Sequence, residues 1–174
     1  SAAKLRTLVY DDPLVQNAGL DVYENPIDNH DYIICVDVSR GLAQDYSAFV
    51  VIDITHAPWR LVAKYRDKDV RPMLFPNVIY NVATNYNNAY TLIEVNDIGE
   101  AVASSLFYDV EYENVLMCAM RGRAGQVVGT GFSGNKTQMG VKMSKTVKAQ
   151  GCSNLKTLTE DDKLLVRDYN ICLL

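Results

Sequence analysis

Three short apolar runs, each bounded by polar turn residues, constrain the fold of this chain more than any other feature. They are YIICVDV, SAFVVIDIT and WRLVAKYR, and they begin at residues 32, 47 and 59. Short runs rich in β-branched residues between turn signals indicate strands rather than helices. Consecutive strands joined by short turns pair most simply as antiparallel neighbours. The sequence therefore predicts an antiparallel three-stranded meander.

Helical and extended segments alternate after this meander. Val78, Ile79, Val82 and Tyr86 recur at three- and four-residue spacing, as one face of a helix requires. The run AYTLIEV then predicts a buried strand that ends at Glu94.

A second helix is predicted over NDIGEAVASSLFYD, with its N-cap at Asn96 or Asp97. ENVLMCAM predicts a fifth strand, VKMSKTVKAQG and NLKTLTEDD indicate helices, and KLLVRDY indicates a short strand or turn. The order β-β-β-α-β-α-β, with trailing helices, is that of an α/β fold with an RNase H-like mixed sheet. In that topology three antiparallel strands precede strands joined by helical crossovers.

The length and composition of the chain fit one domain. It has 174 residues, of which 48% are apolar and 22% are charged. Residues 1–30 contain two prolines and no sustained period, so they are predicted to be an N-terminal arm or linker, and residues 31–174 the folded domain. No run of about 18 apolar residues and no signal-peptide core occurs, so we expect a soluble intracellular protein.

Two predicted strands end in a carboxylate. Asp37 closes the first strand and Glu94 closes the fourth, and a carboxylate at the end of an apolar strand is costly unless it is paired or binds a metal. If these strands are neighbours, both side chains project into one crevice. Oxygen ligands without His or Cys favour Mg²⁺ or Mn²⁺, and one or two such ions can drive phosphodiester hydrolysis.

Each of these carboxylates also has a structural interpretation. Asp37 could begin a turn by accepting from the backbone of Ser39 or Arg40, and Glu94 could cap the helix that follows it. Asp45, in the predicted hairpin turn, is a candidate outer ligand of the metal or a turn residue. Asp53 lies inside an alternating strand and is predicted to face solvent.

The charges are strongly segregated along the chain. Residues 114–159 contain no acidic residue and carry a charge of +7. Because the net charge of the whole chain is −4, the remaining residues carry −11. This stretch includes RGRAGQVVGTGFSGNKTQMG, whose six glycines in 20 residues exclude a regular helix and predict a loop or hairpin. Such a segment could bind phosphates, or it could be a solvated basic face. The candidate DNA-binding residues are Arg121, Arg123, Lys136, Lys142, Lys145 and Lys148.

The four cysteines, Cys35, Cys118, Cys152 and Cys172, are widely spaced and form no CxxC pair. They are predicted to be reduced, mostly buried thiols rather than metal ligands or disulfides.

Several of these strings resemble one known family. YIICVDVSRGLAQDYSAFVVID, AYTLIEVNDIGEAV, MRGRAGQVVGTGFSG and GVKMSKTVKAQGCSNLKTL are similar to the nuclease domain of the large terminase subunit of T-even-type tailed phages. The resemblance spans roughly residues 31–170 and includes loops as well as the acidic strand ends. It implies a metal-dependent endonuclease that cuts concatemeric double-stranded DNA at the start and end of headful packaging, in the cytoplasm of an infected bacterium.

The resemblance also implies an acidic triad. Two members carry over as Asp37 and Glu94, and the third is an Asp near the C-terminal helix. Asp161, Asp162 and Asp168 are the late aspartates, and none stands in the family's sequence context. We therefore expect the third ligand to be absent from this sequence, because a segment is missing at the junction of residues 170 and 171 or because the chain is shortened.

The expected partners are double-stranded DNA, a packaging ATPase domain, the portal and the small terminase subunit. The chain has no GxxxxGK[ST] loop, so ATP hydrolysis is not expected of it. Two other function classes stay open. One is an actin-like nucleotide-binding module, to which DVSRG fits loosely, and the other is a non-catalytic DNA-binding or docking domain with a structural acidic pair.

Overall fold

The computed structural model describes residues 9–40, 45–131 and 137–172. The strands in chain order are β1 (Val15–Asn17), β2 (Leu20–Val22), β3 (Tyr32–Asp37), β4 (Ser47–Asp53), β5 (Trp59–Asp67), β6 (Tyr90–Ile93), β7 (Leu116–Ala119), β8 (Val127–Thr130), β9 (Thr137–Met139) and β10 (Leu164–Leu165). The helices are α1 (Phe75–Asn85), α2 (Gly99–Ser104, continued by a π-helical turn over Ser105–Asp109), α3 (Lys145–Glu160) and α4 (Tyr169–Cys172).

The main sheet has the strand order β1-β2-β5-β4-β3-β6, with β10 also paired to β5. The predicted meander is confirmed, since β3 pairs antiparallel with β4, and β4 with β5. β6 then joins the far edge of β3 as a parallel neighbour. The connection from β5 to β6 runs through α1, as a parallel crossover requires. The result is the predicted α/β mixed sheet.

The prediction that residues 1–30 form an arm outside the domain is corrected for residues 15–22. β1 and β2 form an antiparallel hairpin, and β2 pairs with β5 through Leu20↔Tyr65 and Val22↔Ala63. The hairpin turns at Ala18 and Gly19, which both have a positive φ. Strands of three residues are too short to show an alternating pattern, and these two are held in the sheet by the backbone pairing of β2 with β5 and of β1 with β2.

A second, three-stranded sheet has the order β8-β7-β9 and continues from β6. Single bridges join the two sheets, because Thr91 pairs with Val115 and Glu94 with Val141, both in parallel. The glycine-rich stretch therefore contributes β8 and β9 around β7, which agrees with the predicted hairpin or loop.

The core lies on one face of the main sheet, beneath α1 and α2. The predicted helical face of α1 is confirmed, because Ile79 and Tyr86 are almost fully buried and Val82 is 8% exposed. On the strands the same core takes alternate residues, such as Ile34 and Val36 of β3. Burial of this alternate set fixes which side chains face away from the core.

The later helices differ in detail from the prediction. α2 starts from Ile98 without a side-chain cap, so neither Asn96 nor Asp97 is its N-cap. The two predicted C-terminal helical segments form one helix, α3, which has no buried residue among its 16 residues. No described helix is both long and apolar enough to cross a membrane.

Two side-chain predictions are corrected. Asp53 does not face solvent: it is fully buried, and its carboxylate accepts hydrogen bonds from Arg60 Nη2 at 2.8 Å and from His30 Nδ1 at 2.7 Å. Among the described cysteines, Cys118 is buried and Cys35 half-buried as free thiols, but Cys152 is exposed on α3. Burial raises the pKa of Cys35 and of Cys118 to about 11, which keeps both thiols protonated and unreactive.

Candidate functional site

Asp37 and Glu94 lie side by side at the ends of two parallel strands. Val36 of β3 is the register partner of Ile93 of β6, and the Glu94 N–H donates to the Val36 carbonyl at 2.9 Å. Asp37 and Glu94 each follow one residue later, so their backbones are one strand spacing, about 4.8 Å, apart. The structure therefore brings together the two carboxylates that the sequence predicts at strand ends.

Both side chains also project from the same face of the sheet. Val36 is 4% and Ile93 0% exposed, so these two residues face the core. Because successive side chains on a strand alternate between faces, Asp37 and Glu94 both face the opposite side. There Asp37 is exposed and Glu94 is half-buried. The pair can thus be reached by a solvent ion or a substrate.

The electrostatics of Glu94 reflect this pairing. Burial raises the pKa of its carboxyl above the usual value, the negative charge of Asp37 raises it further, and the ammonium of Lys148 lowers it. A carboxylate that is half-buried beside another carboxylate binds a proton or a cation more readily than an isolated one.

Two glycines let neighbouring segments approach the backbone that carries Glu94. A Cβ on Gly99, at the start of α2, would lie 1.9 Å from the Glu94 carbonyl oxygen. A Cβ on Gly140, whose φ is +71°, would lie 2.2 Å from the Ile93 carbonyl oxygen. Neither approach is possible for a residue with a side chain. These contacts fix the end of β6 and, with it, the position of the Glu94 side chain.

The basic segment is attached directly to this strand end. The Val141 N–H donates to the Ile93 carbonyl at 2.8 Å, and the Val95 N–H donates to the Val141 carbonyl at 2.9 Å. The Asn96 side chain then holds residue 143 through both its amide atoms, accepting from the Met143 N–H at 2.9 Å and donating to its carbonyl at 3.0 Å. Helix α3 therefore begins beside the acidic pair.

The N-terminal end of α3 places positive charge near Asp37 and Glu94. Its N-cap is Ser144, whose hydroxyl accepts from the Val147 N–H at 3.2 Å. Lys148, one turn into the helix, is the cation that acts on Glu94. The helix dipole adds partial positive charge at the same end.

The predicted DNA-binding residues that the structure describes are all exposed, and they lie on this side of the site. Arg121 and Arg123 lie in the turn between β7 and β8, which lies close to α3, since a Cβ on Gly125 would be 3.0 Å from the Val147 side chain. Between this turn and α3 is a cavity of about 250 Å³ whose lining includes Lys142. Lys145 and Lys148 lie on α3, and Lys136 lies outside the described residues.

No third carboxylate joins the pair among the described residues, where no group of three or more His, Cys, Asp or Glu side chains is placed to hold a metal. Asp45 has an exposed side chain, and its backbone carbonyl accepts from the Ser39 hydroxyl at 2.9 Å. Asp161 and Asp162 are exposed in the turn after α3. That turn leads into β10, which pairs with the start of β5 at the opposite end of the sheet.

Asp168 is engaged elsewhere. It is 3% exposed, is ion-paired with Lys64, accepts from the Tyr23 hydroxyl at 2.5 Å and accepts from the Ile171 N–H at 2.8 Å. Burial opposes ionisation of its carboxyl, but these hydrogen bonds and the charge of Lys64 bring its pKa below the usual value. Asp168 is therefore an ionised anchor for the C-terminal segment, and the expectation that the third ligand is missing from this sequence stays a prediction.

The described contacts near Ser39 and at the start of α2 do not require the structural interpretations of Asp37 and Glu94. The Ser39 N–H donates to the Ser47 hydroxyl at 3.1 Å, so this amide has an acceptor without Asp37. Helix α2 has no side-chain cap, so Glu94 does not cap it. Two hard oxygen donors on one exposed face fit a divalent cation such as Mg²⁺ or Mn²⁺.

One contact at the site was not predicted from the sequence. Arg40 and Asp97 form a bidentate ion pair, with Nε–Oδ2 and Nη2–Oδ1 distances of 2.5 Å. Arg40 follows Asp37 by three residues and Asp97 follows Glu94 by three residues, so the pair joins the two loops that leave the acidic strand ends. The equal spacing is present in the sequence, but it predicts a contact between Arg40 and Asp97 only when β3 and β6 are known to be neighbours.

The chain is similar to known proteins of one family. A family model described as the terminase RNaseH-like domain matches residues 34–172. The large terminase nuclease of thermophilic phage G20c with bound magnesium is 23% identical, with a TM-score of 0.70 over 98% of this chain and 75% of that chain. The Thermus phage P74-26 large terminase nuclease domain is 24% identical, with a TM-score of 0.67 over 97% of this chain and 73% of that chain.

The same G20c nuclease is similar in its zinc-bound form, with 23% identity and a TM-score of 0.69 over 98% of this chain and 82% of that chain. Structures at this level of identity show the fold, and they confirm the predicted RNase H-like class.

Proposed function

Because the chain belongs to the terminase RNaseH-like domain family, we propose that it is a divalent-metal-dependent endonuclease acting on double-stranded DNA during viral genome packaging. The observation that carries the proposal is the juxtaposition of Asp37 and Glu94 on one accessible face of the sheet, with basic helix α3 beginning beside them. An acidic pair alone would repel DNA. A pair that binds cations, beside exposed Lys and Arg residues, can accept a phosphodiester.

The residues of the site have distinct roles in this proposal. Asp37 and Glu94 hold the ion, and the raised pKa of Glu94 shows that an uncompensated charge there is unfavourable. A bound divalent ion would lower the pKa of its water and offset charge on the leaving oxygen. Lys145 and Lys148 would hold the phosphate backbone across the crevice. The G20c nuclease, with bound cobalt, magnesium or zinc in its structures, supports a divalent ion in this family.

The finer features of the function follow from the resemblance of the loops to T-even-type terminases. We include in the proposal that the nuclease cuts concatemers at the start and end of headful packaging. It would work with a packaging ATPase domain, the portal and the small terminase subunit in the infected bacterial cell. Contacts through exposed Lys and Arg to phosphates carry little sequence information, so cleavage should have little sequence preference.

A non-catalytic DNA-docking domain is the second candidate. It is favoured by one observation, the lack of a third carboxylate beside Asp37 and Glu94 among the described residues. In that case the acidic pair could bind an ion without supporting cleavage.

Cleavage of supercoiled plasmid tests the proposal. We expect nicked and linear products with Mg²⁺ or Mn²⁺ and none with EDTA. Asp37→Asn should abolish cleavage with the fold retained. Asp31→Asn, which makes the same charge change in the exposed residue before the other end of β3, should cut like the parent. DNA binding without cleavage would favour the docking domain, and cleavage by Asp37→Asn would refute the assigned site.

A further inference from the structure

The Arg40–Asp97 ion pair lies just beyond the two acidic strand ends and is exposed. It connects the loop after β3 with the loop after β6, beyond the two strand ends that carry Asp37 and Glu94. The side chains are 66% and 55% exposed, respectively. A cation on this loop is the first positive charge that follows Asp37 along the chain, and it lies outside the basic stretch of residues 114–159.

The pair is suited to exchange partners. A guanidinium presents parallel N–H donors that match a carboxylate and a phosphate equally well. An ion pair this exposed contributes little to stability, because water solvates both ions when they separate. Asp97 therefore holds Arg40 in a defined position without holding it tightly, and a phosphate near the acidic pair could take the place of the carboxylate.

The backbone of Asp97 favours the same interpretation. Asp97 has a φ of +54°, a conformation that Asp and Asn tolerate better than other non-glycine residues. α2 begins at Gly99, two residues later, and does not use Asp97 as a cap. Among the described parts of the chain, the Asp97 carboxylate pairs with Arg40 through both of its oxygens.

We propose that Arg40 is a phosphate-binding residue of the nuclease site, held by Asp97 in the free protein and transferred to a backbone phosphate when duplex DNA binds. This inference rests on the proposed function, since it requires DNA at the acidic pair. In the free protein the Asp97 carboxylate occupies the guanidinium donors that would bind the phosphate, so it competes with DNA for Arg40. The two partners of one ion pair therefore affect DNA affinity in opposite directions.

Duplex affinity measured in EDTA, where no cleavage occurs, tests the exchange. Arg40→Gln should weaken binding about tenfold, as expected for one charge-assisted contact. It should also reduce the slope of log K against log salt by about 0.9. Asp97→Asn should tighten binding by up to about fivefold. The gain is small because the ion pair that competes with DNA for Arg40 is exposed and therefore weak. Asn keeps the shape of the side chain and tolerates the positive φ, so the loop should be retained.

The double variant separates exchange from simple charge removal. If Asp97 acts through Arg40, most of the gain from Asp97→Asn disappears in the Arg40→Gln background. If Asp97 only repels DNA, the gain is the same in both backgrounds, and the proposal is overturned. A pair that merely holds the loops together predicts weaker binding for both single variants, which would also overturn it.

A matched exposed pair serves as the control. Asp161 and Lys163 lie 3.6 Å apart with exposures of 50% and 58%, before β10 at the opposite end of the sheet. Asp161→Asn and Lys163→Gln should change affinity in proportion to net charge, with no loss of effect in the double variant. Plasmid cleavage by the parent is measured alongside. A parent that cuts plasmid with Mg²⁺ or Mn²⁺ but shows no Arg40 effect refutes only this inference, and a parent that neither binds nor cuts duplex DNA refutes both proposals.

Discussion

At the scale of single residues, two adjacent strand ends determine the chemistry of the site. Asp37 and Glu94 were predictable because each closes an apolar run, where a carboxylate has few structural reasons to occur. The partners of Asp53 and Asp168 were not predictable, because His30, Lys64 and Tyr23 come from distant parts of the chain. The burial of Asp53, which was predicted to face solvent, and the identity of its counterions become visible only once the strands are ordered.

Glu94→Gln should stabilise the metal-free protein near neutral pH. The raised pKa of Glu94 means that the folded chain binds this proton more tightly than the unfolded chain. The free energy of unfolding therefore falls as pH rises from the ordinary glutamate range through the raised pKa. The Glu94→Gln substitution removes that loss of stability. In EDTA at pH 7, the melting temperature of the variant should therefore exceed that of the parent by on the order of 1–3 °C. The difference should vanish near pH 4.

Added Mn²⁺ should reverse this order. It should raise the melting temperature of the parent at pH 7, less so as Glu94 becomes protonated, and should have little effect on Glu94→Gln. Glu113→Gln, a change in an exposed carboxylate after α2, is the control and should follow the parent. A Glu94→Gln protein that is less stable than the parent in EDTA at pH 7 would contradict the electrostatic account of the pair.

At the scale of elements, the alignment of β6 with its neighbours positions the site. The strands β3 to β6 were predictable from their apolar runs and turn residues. The β1–β2 hairpin was missed because three-residue strands carry no period. The close packing of α2 and of the β9–α3 segment onto the end of β6 depends on Gly99 and Gly140. A glycine in a sequence does not show which backbone it will contact.

Gly99→Ala should disturb both stability and metal binding. Its Cβ would lie 1.9 Å from the Glu94 carbonyl oxygen, so α2 must move away from the strand end. We expect a loss of about 1–3 kcal/mol in the free energy of unfolding. For a domain of this size that lowers the melting temperature by about 2–4 °C per kcal/mol.

Gly151→Ala is the matched control for this substitution. Gly151 lies in exposed helix α3, and a Cβ there would meet nothing within 4 Å. Alanine should stabilise the helix by up to about 1 kcal/mol. Equal melting temperatures for the two variants would show that α2 does not pack on Glu94 as described. Mn²⁺ titration of both variants measures the effect on the site.

At the scale of the whole molecule, charge is divided between a basic stretch and an acidic body. The division was predictable from the order of residues, since the stretch from 114 to 159 lacks acids. The order of residues does not predict where the basic stretch is held against the rest of the fold. Asn96 binds residue 143 and the Val141 backbone pairs with β6, so the basic helix starts at the acidic strand ends. Because the basic helix lies beside the acidic strand ends, the basic stretch is a candidate DNA-binding surface that leads to the metal site.

Neutralising Arg121, Arg123 and Lys136 together to Gln should flatten the salt dependence of duplex binding. Each phosphate contact contributes about 0.9 to the slope of log K against log salt, so the slope should fall by up to about 3. Metal binding should be nearly unchanged. The control triple Lys68, Arg71 and Lys163 to Gln makes the same charge change at exposed positions outside the stretch. Equal slopes for the two triples would show that the basic stretch is only a solvated face.

The proposed nuclease site requires that Asp37 and Glu94 share a divalent ion. The anomalous difference map of a crystal soaked in Mn²⁺ would locate that ion. We expect a peak between the two carboxylates, about 2.1 Å from an oxygen of each, and no such peak in crystals of Asp37→Asn. Full Mn²⁺ occupancy at other residues, with none between Asp37 and Glu94 in a protein that cuts DNA, would show that these two carboxylates do not form the metal site.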